Sequence, residues 1–94
     1  MKTFFHYDFL NGLLIGSENP YLYPTATEII DDIVKSFGVH AVITLVPEFV
    51  DFGIKSITQY HKPLSDETAP TSEEIEDVLD IMEWHLYREQ VVWI

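Results

Sequence analysis

Side chains that could act as nucleophiles or metal ligands are present, but their spacing supports few kinds of chemistry. The 94-residue chain contains no cysteine, which excludes disulfides, thiolate metal sites and a nucleophilic thiol within these residues. The four histidines are His6, His40, His61 and His85. No two of them have the i, i+3 or i, i+4 spacing by which one helix presents two ligands to a metal. None of the five serines stands in a Gly-x-Ser-x-Gly context, so we predict no metal, no cofactor and no serine hydrolase site.

The charge of the chain argues against two classes of partner. Sixteen acidic residues against five basic ones give a formal net charge of −11, which repels nucleic acid phosphates and anionic membrane surfaces. Nine carboxylates lie between Asp66 and Glu89, where Arg88 is the single basic residue. They form either a solvated helix face or a patch that meets a basic partner. No stretch approaches 18 apolar residues, so we predict a soluble, cytoplasmic protein that binds neither nucleic acid nor membrane.

The first elements of the chain are predicted to be a hairpin and a helix. Asn11-Gly12 separates two apolar runs, which predicts two antiparallel strands closed by a type I′ turn on these two residues. Residues 17–23 show no periodicity and are predicted as a loop. Thr25 and Glu28 have the spacing of a capping box, which predicts the start of a helix. Gly38 suits the left-handed residue just past its end, so the helix is predicted to end at Phe37.

The remaining elements indicate an α/β fold. The β-branched run at 41–46 predicts a strand buried on both faces, and residues 56–63 and 91–94 predict further strands. A second capping box, Thr71 with Glu74, begins a second helix. Its apolar stripe consists of Ile75, Val78, Leu79, Met82 and Leu86. Residues 1–94 are therefore predicted to form a single α/β domain with a largely parallel sheet, an N-terminal hairpin and at least two helices.

The order of these features resembles that of a known family. It comprises the hairpin NGLLIGS (11–17), the helix at 24–37, the strand GVHAVITL (38–45), the loop YHKPLSDETAP (60–70) and the strand VVWI (91–94). This order is similar to that of the dual-specificity branch of the protein tyrosine phosphatases. In that family a Gly-Val/Ile-x-x-Val-Ile-x-Leu strand follows the first helix, and a Pro-x-x-Asp-x-x-x-Pro loop precedes the second. The resemblance implies a partial cysteine-phosphatase-type fold.

The resemblance also implies a hydrolase of phosphotyrosine, phosphoserine or phosphothreonine esters. In the family, the strand matching 91–94 runs into a His-Cys-x-x-x-x-x-Arg signature. Its backbone N–H groups cradle the phosphate, its Arg clamps the oxygens and its Cys attacks phosphorus. Because these residues lack that loop, we expect the N-terminal portion of a truncated domain that is inactive alone. The expected partners are the remainder of the domain or a completing chain, and then a phosphoprotein substrate.

One catalytic role is implied within the chain, that of the general acid. The family's mobile loop carries an Asp that protonates the leaving oxygen, and Asp66 is the matching position. Like charge from the neighbouring Glu67 favours the protonated acid, whereas Lys62 favours the carboxylate, so the residues leave its protonation state open. The alternative interpretation is an Asp that hydrogen-bonds its own backbone in a turn.

Two other functions are compatible with these residues. One is a phosphatase-like protein-binding module that has no catalytic activity, and Trp84, which lies off the apolar stripe, could belong to its contact surface. The other is an acidic inhibitor whose carboxylates imitate nucleic acid phosphates. The resemblance places the first helices on one face of the sheet and the later ones on the other, so apolar surface would be uncovered where the later helices are missing. We therefore expect these residues alone to self-associate through the uncovered face, to be completed by another chain or to fold loosely.

Overall fold

The described part of the chain forms a mixed sheet with a helix on each face. The computed structural model describes residues 4–9, 11–64 and 68–94. In chain order the elements are β1 (Phe4–Phe9), β2 (Gly12–Ser17), a 3₁₀ turn (Pro20–Leu22), α1 (Ala26–Phe37), β3 (Ala41–Thr44), β4 (Thr58–His61), α2 (Ser72–Leu86) and β5 (Val91–Trp93). The strand order is β1-β2-β5-β3-β4, with β1 antiparallel to β2 and the other neighbours parallel. The predicted α/β class, hairpin and largely parallel sheet are confirmed.

The hairpin forms, but the predicted type I′ turn on Asn11-Gly12 is wrong. The register pairs Phe9 with Gly12, so Gly12 belongs to β2 and not to the turn. Gly12 also has no positive φ, in contrast to Gly38 and Gly53. A Cβ at Gly12 would collide with the backbone oxygen of Gln90. The glycine is therefore required by the close approach of the segment that enters β5, not by turn geometry.

The helix ends show which capping patterns form. Gly38 adopts the left-handed conformation (φ 64°, ψ 49°) just past α1, as predicted. At α2, the Glu74 N–H donates to Thr71 Oγ1 at 3.2 Å and the Thr71 N–H donates to Glu74 Oε1 at 3.1 Å, which confirms that capping box. Thr25 is the N-cap of α1 but makes no side-chain cap hydrogen bond, so the first predicted box is wrong. Its backbone (φ −94°, ψ 25°) lies outside the extended region that a capping side chain uses.

The two crossover connections that contain a helix place α1 and α2 on opposite faces of the sheet. α1 links β2 to β3 and α2 links β4 to β5, so the connections cross the sheet in opposite directions. Right-handed crossovers of opposite direction lie on opposite faces. In β5, Val92 packs in one hydrophobic cluster with Val78 and Leu86 of α2, whereas Trp93 packs in the other with Ile30 of α1. The expectation that these helices share a face and leave the other bare is therefore wrong.

Only part of the predicted apolar stripe of α2 is buried. Val78 and Leu86 are buried against the sheet, but Ile75 and Leu79 are 45% and 46% exposed. His85, only 5% exposed, is buried in their place. The helix is therefore rotated about its axis relative to the predicted orientation. Neither α1 nor α2, the helices of the described ranges, is long and apolar enough to cross a membrane.

Candidate functional site

A crevice opens at the edge of the sheet where the parallel strands β2, β5 and β3 end. Its volume is about 270 Å³. The lining includes Ser17 from β2, Ile94 just after β5 and Thr44 from β3, together with parts of the segments that follow β2 and β3. In open parallel sheets, ligands bind outside the carboxyl ends of the strands. This crevice is therefore the candidate functional site.

One wall of the crevice is built from aromatic rings. The Phe52 ring lies between Trp93, at a centroid distance of 5.8 Å, and Tyr21, at 6.2 Å, and both pairs are tilted. Both centroid distances lie in the range in which aromatic pairs attract one another. Val42 and Val50 extend the apolar lining. The crevice therefore suits an aromatic or aliphatic group better than an isolated ion.

Short hydrogen bonds fix the segment that leaves β2 beside the crevice. Trp93 Nε1 donates to Ser17 Oγ at 2.8 Å, and Ser17 Oγ donates to the Glu18 carbonyl oxygen at 2.9 Å. The hydroxyl of Tyr23 donates to Glu18 Oε1 at 2.5 Å. The strand end is thus tied both to the centre of the sheet and to the approach to α1.

Two side chains of β4 hold the segment that leaves β3. The Phe52 N–H donates to Gln59 Oε1 at 2.9 Å, and Gln59 Nε2 donates to the Val50 carbonyl oxygen at 3.0 Å. His61 Nε2 donates to the Val46 carbonyl oxygen at 2.9 Å. Since Val46, Val50 and Phe52 all line the crevice, β4 positions this side of the site without lining it.

The charged groups of the crevice are acidic. Its lining contains Glu18 and Glu48, and none of its described residues is Lys, Arg or His. Desolvation raises the pKa of Tyr21 above the usual value of 10.0, so this phenol is neutral at neutral pH. These groups cannot neutralise a phosphoryl dianion, which guanidinium groups and clustered backbone N–H groups stabilise. Phosphoryl chemistry here therefore requires a cation in addition to the described residues.

The sequence-predicted acid, Asp66, lies outside the described residues, as do Ser65 and Glu67. The segment before it is held by two backbone hydrogen bonds. The Lys62 N–H donates to the Thr44 carbonyl oxygen and the Leu64 N–H to the Leu45 carbonyl oxygen, each at 2.9 Å. Both acceptors belong to residues that line the crevice. The chain that leads toward Asp66 therefore follows the end of β3 alongside the site.

The histidines occupy separate positions in the fold. His6 packs its ring against Phe37 at 5.2 Å, and His40 Nδ1 accepts the Val91 N–H at 3.0 Å. No group of three or more His, Asp or Glu side chains that could hold a metal comes together within residues 4–9, 11–64 and 68–94. In the described structure the histidines therefore act as individual packing and hydrogen-bonding groups.

A buried polar link centred on His85 was missed by the sequence analysis. His85 Nδ1 donates to Gln90 Oε1 at 2.6 Å, and Nε2 accepts the Tyr60 hydroxyl at 2.9 Å. These bonds join β4, α2 and the entry to β5. The sequence does indicate that His85 is buried. It lies seven positions, or two helical turns, after Val78 and therefore on the same apolar face of the helix.

The chain was compared with protein-family models and with curated proteins, and neither search found a match. What the site does is therefore inferred from the crevice, its charge and the strands that form it.

Proposed function

We propose that these residues form the N-terminal part of a cysteine-dependent protein phosphatase domain of the dual-specificity type. The crevice receives the phosphorylated side chain, and Asp66 protonates the leaving oxygen. The chain contains no cysteine, so the thiolate nucleophile comes from outside these residues, together with the Arg that clamps the phosphate. The substrates are phosphotyrosine, phosphoserine or phosphothreonine esters, and these residues are inactive alone.

The observation that carries the proposal is the position of β5. It lies between β2 and β3 in the sheet, and its end is held at the crevice. The Ile94 N–H donates to the Ile15 carbonyl oxygen at 2.8 Å, and the Ser17 N–H donates to the Ile94 carbonyl oxygen at 3.2 Å. In the family that the sequence resembles, the phosphate-binding loop follows this strand. A loop in that position would begin at the crevice.

The segment after β4 also supports the proposal. The Leu64 N–H donates to the carbonyl oxygen of Leu45, a residue that lines the crevice. Asp66 follows Leu64 by two positions in the sequence. A general acid must come within hydrogen-bond reach of the leaving oxygen. The hydrogen bond to Leu45 holds Leu64, two positions before Asp66 in the sequence, at the same edge of the sheet as the end of β5.

The proposed reaction has two steps. The thiolate sulfur bonds to phosphorus while the P–O ester bond breaks, and the proton of Asp66 passes to the departing oxygen. Water then attacks phosphorus as the S–P bond breaks, and the water proton passes to the Asp66 carboxylate, which releases inorganic phosphate and regenerates both the thiolate and the acid. The apolar wall of Phe52 and Tyr21 would contact the organic part of the substrate, because it offers ring surface and no charge that attracts phosphate.

The proposal is tested on the natural polypeptide or complex that contains these residues. Its coding sequence is read beyond the codon for Ile94, and we expect His-Cys-x-x-x-x-x-Arg to follow there or in a companion chain. In that protein, Asp66→Asn should lower kcat for a phosphotyrosine substrate roughly 10²–10⁴-fold. The effect should be smaller for p-nitrophenyl phosphate, because its leaving group is more acidic and needs less protonation.

Glu67→Gln is the matched control, since it removes a neighbouring carboxylate without touching the proposed acid. It should leave kcat within a few fold of the unmodified protein. A reading frame that closes after Ile94 with no companion chain contradicts the proposal. Equal kcat values for the Asp66→Asn and Glu67→Gln variants contradict the role of Asp66.

A second candidate is a phosphatase-like binding module without catalysis. The observation that favours it is the acidic character of the crevice, whose described lining contains Glu18 and Glu48 and no Lys, Arg or His. It predicts that the natural polypeptide lacks the Cys signature yet forms a stable complex with a protein partner. Finding the signature together with phosphatase activity rules it out.

A further inference from the structure

Three exposed apolar side chains, one on the hairpin and two on α2, mark the α2 side of the sheet. Ile75 and Leu79 of α2 are 45% and 46% exposed, and Phe5 of β1 is 47% exposed. Phe5 pairs with Gly16 across the hairpin, and its ring covers Gly16 so closely that a Cβ there would collide with it. We call the surface formed by Phe5, Ile75 and Leu79 the α2 groove.

The strand register shows that the Phe5 ring faces the same side as α2. Leu14, two positions before Gly16, packs in the cluster that contains α2 residues, and residues two apart on a strand share a face. The Phe5 ring, which lies over Gly16, therefore projects from the α2 face of the sheet.

The path of α2 brings Ile75 to the level of Phe5. The helix joins the end of β4 to the start of β5, so it runs antiparallel to β2. Near its C-terminus, Leu86 Cδ2 lies 3.1 Å from the position of a Cβ on Gly12. The helix from Ile75 to Leu86 rises about 16 Å, and β2 from Gly12 to Gly16 rises about 13 Å. Ile75 is therefore level with the Gly16–Phe5 pair.

The outer border of the α2 groove is acidic. Glu76 and Asp80 each follow a groove residue directly, and Glu83 lies one turn beyond Leu79 on the exposed side of the helix. None of these three carboxylates forms an ion pair with a described residue. Arg88, the first basic residue after Glu83 in the sequence, contacts Trp84: its guanidinium lies 3.7 Å from the ring centroid and donates to the Trp84 carbonyl oxygen.

We propose that the α2 groove binds a basic amphipathic helix of a partner protein. Ile75 and Leu79 form an i, i+4 ridge against which the aliphatic face of a second helix can pack. Lys or Arg side chains along the edge of that helix meet the carboxylates at 76, 80 and 83, which steers association and fixes orientation. The charge complementarity identifies the occupant as basic.

A second copy of this chain fits the α2 groove poorly. α2 contains six carboxylates and no Lys or Arg between Ser72 and Leu86, so two copies would bring like charges together. The α2 groove is also separate from the crevice, because none of its three residues lines that site. The proposal is therefore independent of the phosphatase assignment, and either can fail alone.

The test is isothermal titration of the 94-residue chain with a synthetic helical peptide of about five turns. The probe carries leucines on one face and lysines at its edges. One control peptide has Glu in place of Lys, and another has the same composition in scrambled order. We expect only the lysine-edged amphipathic peptide to bind, with an affinity that falls as salt is raised. Glu76→Gln combined with Glu83→Gln should weaken binding and reduce this salt dependence.

Leu79→Ser should weaken binding of the probe about tenfold or more. Leu22→Ser is the matched control, because Leu22 is 66% exposed on the 3₁₀ turn and lies outside the α2 groove. Circular dichroism checks that both variants fold. Equal affinities for the two variants overturn the proposal, as does equal binding of the scrambled peptide. A chain that is dimeric without peptide, and that Leu79→Ser makes monomeric, also overturns it and identifies a second copy as the occupant.

Discussion

The indole Nε1 of Trp93 donates a hydrogen bond to Ser17 Oγ at 2.8 Å, which ties the end of β5 to the end of β2 at the mouth of the crevice. Trp93 is 2% exposed, so Ser17 Oγ supplies the hydrogen-bond acceptor that its buried indole N–H needs. The bond therefore couples the stability of the sheet to the shape of the candidate site.

Ser17→Ala should destabilise the fold by about 1–3 kcal/mol, because it leaves the buried Trp93 N–H without a partner. Urea unfolding followed by tryptophan fluorescence measures this change. Ser36→Ala, at an exposed position of α1, is the control and should change stability by less than about 0.5 kcal/mol. Equal stabilities for the two variants would show that the bond to Ser17 contributes nothing.

His85→Ala should destabilise the fold by about 2–4 kcal/mol, because it opens a cavity and leaves Tyr60 and Gln90 without their shared partner. His61→Ala is the comparison, since His61 is exposed and makes one hydrogen bond to the Val46 carbonyl oxygen. Its cost should be about 0.5–1.5 kcal/mol. Thermal or urea unfolding gives both values, and a larger loss of stability in His61→Ala than in His85→Ala would show that the buried link is not the stronger contribution.

Substitution by Ala and by Asn should destabilise the fold in opposite order at Gly12 and at Gly38. At Gly12, where a Cβ collides with Gln90, Asn should be more destabilising than Ala because it is larger. At Gly38, where φ is 64° and nothing lies within 4 Å of a Cβ, Asn should be tolerated better than Ala, because Asn adopts the left-handed conformation more readily. Unfolding free energies of the four variants test this order. Better tolerance of Asn than Ala at Gly12 would restore the original turn interpretation.

Tyr21 should lose its proton only above pH 10.0 in the folded chain, because desolvation raises its pKa. Its contribution to stability is then fully present below pH 10.0 and is lost as the pH rises through the folded-state pKa. Ultraviolet titration of tyrosinate, as the difference between the unmodified chain and the Tyr21→Phe variant, isolates this group. A difference curve with its midpoint at or below 10.0 contradicts the partial desolvation of the phenol in the crevice wall.

The two Thr-x-x-Glu motifs show why local patterns predict some features and not others. Thr71 and Glu74 form their capping box because Thr71 is extended (φ −73°, ψ 160°). Thr25 has the same motif, but the Ala26 N–H donates to the Tyr23 carbonyl oxygen in the turn that enters α1. That turn sets the backbone of Thr25, and the motif itself contains no information about it.

Elements whose signal is local were predicted, whereas groups brought together by the fold were not. The hairpin, both helices and the parallel sheet follow from periodicity and turn residues. The crevice depends on Phe52 meeting Trp93, and the buried link depends on Tyr60 meeting His85, and both pairs are far apart in the sequence. Such contacts are set by strand order, which periodicity does not determine. Asp66, the one predicted catalytic residue, stays a prediction.

We propose that a thiolate and a guanidinium must be supplied before this crevice can cleave a phosphoester. Phosphomonoester hydrolysis is measured with the purified 94-residue chain and with its Asp66→Asn variant. We expect no turnover above the uncatalysed rate for either protein. Turnover by the unmodified chain alone, at a rate that Asp66→Asn does not change, would show that neither group is needed.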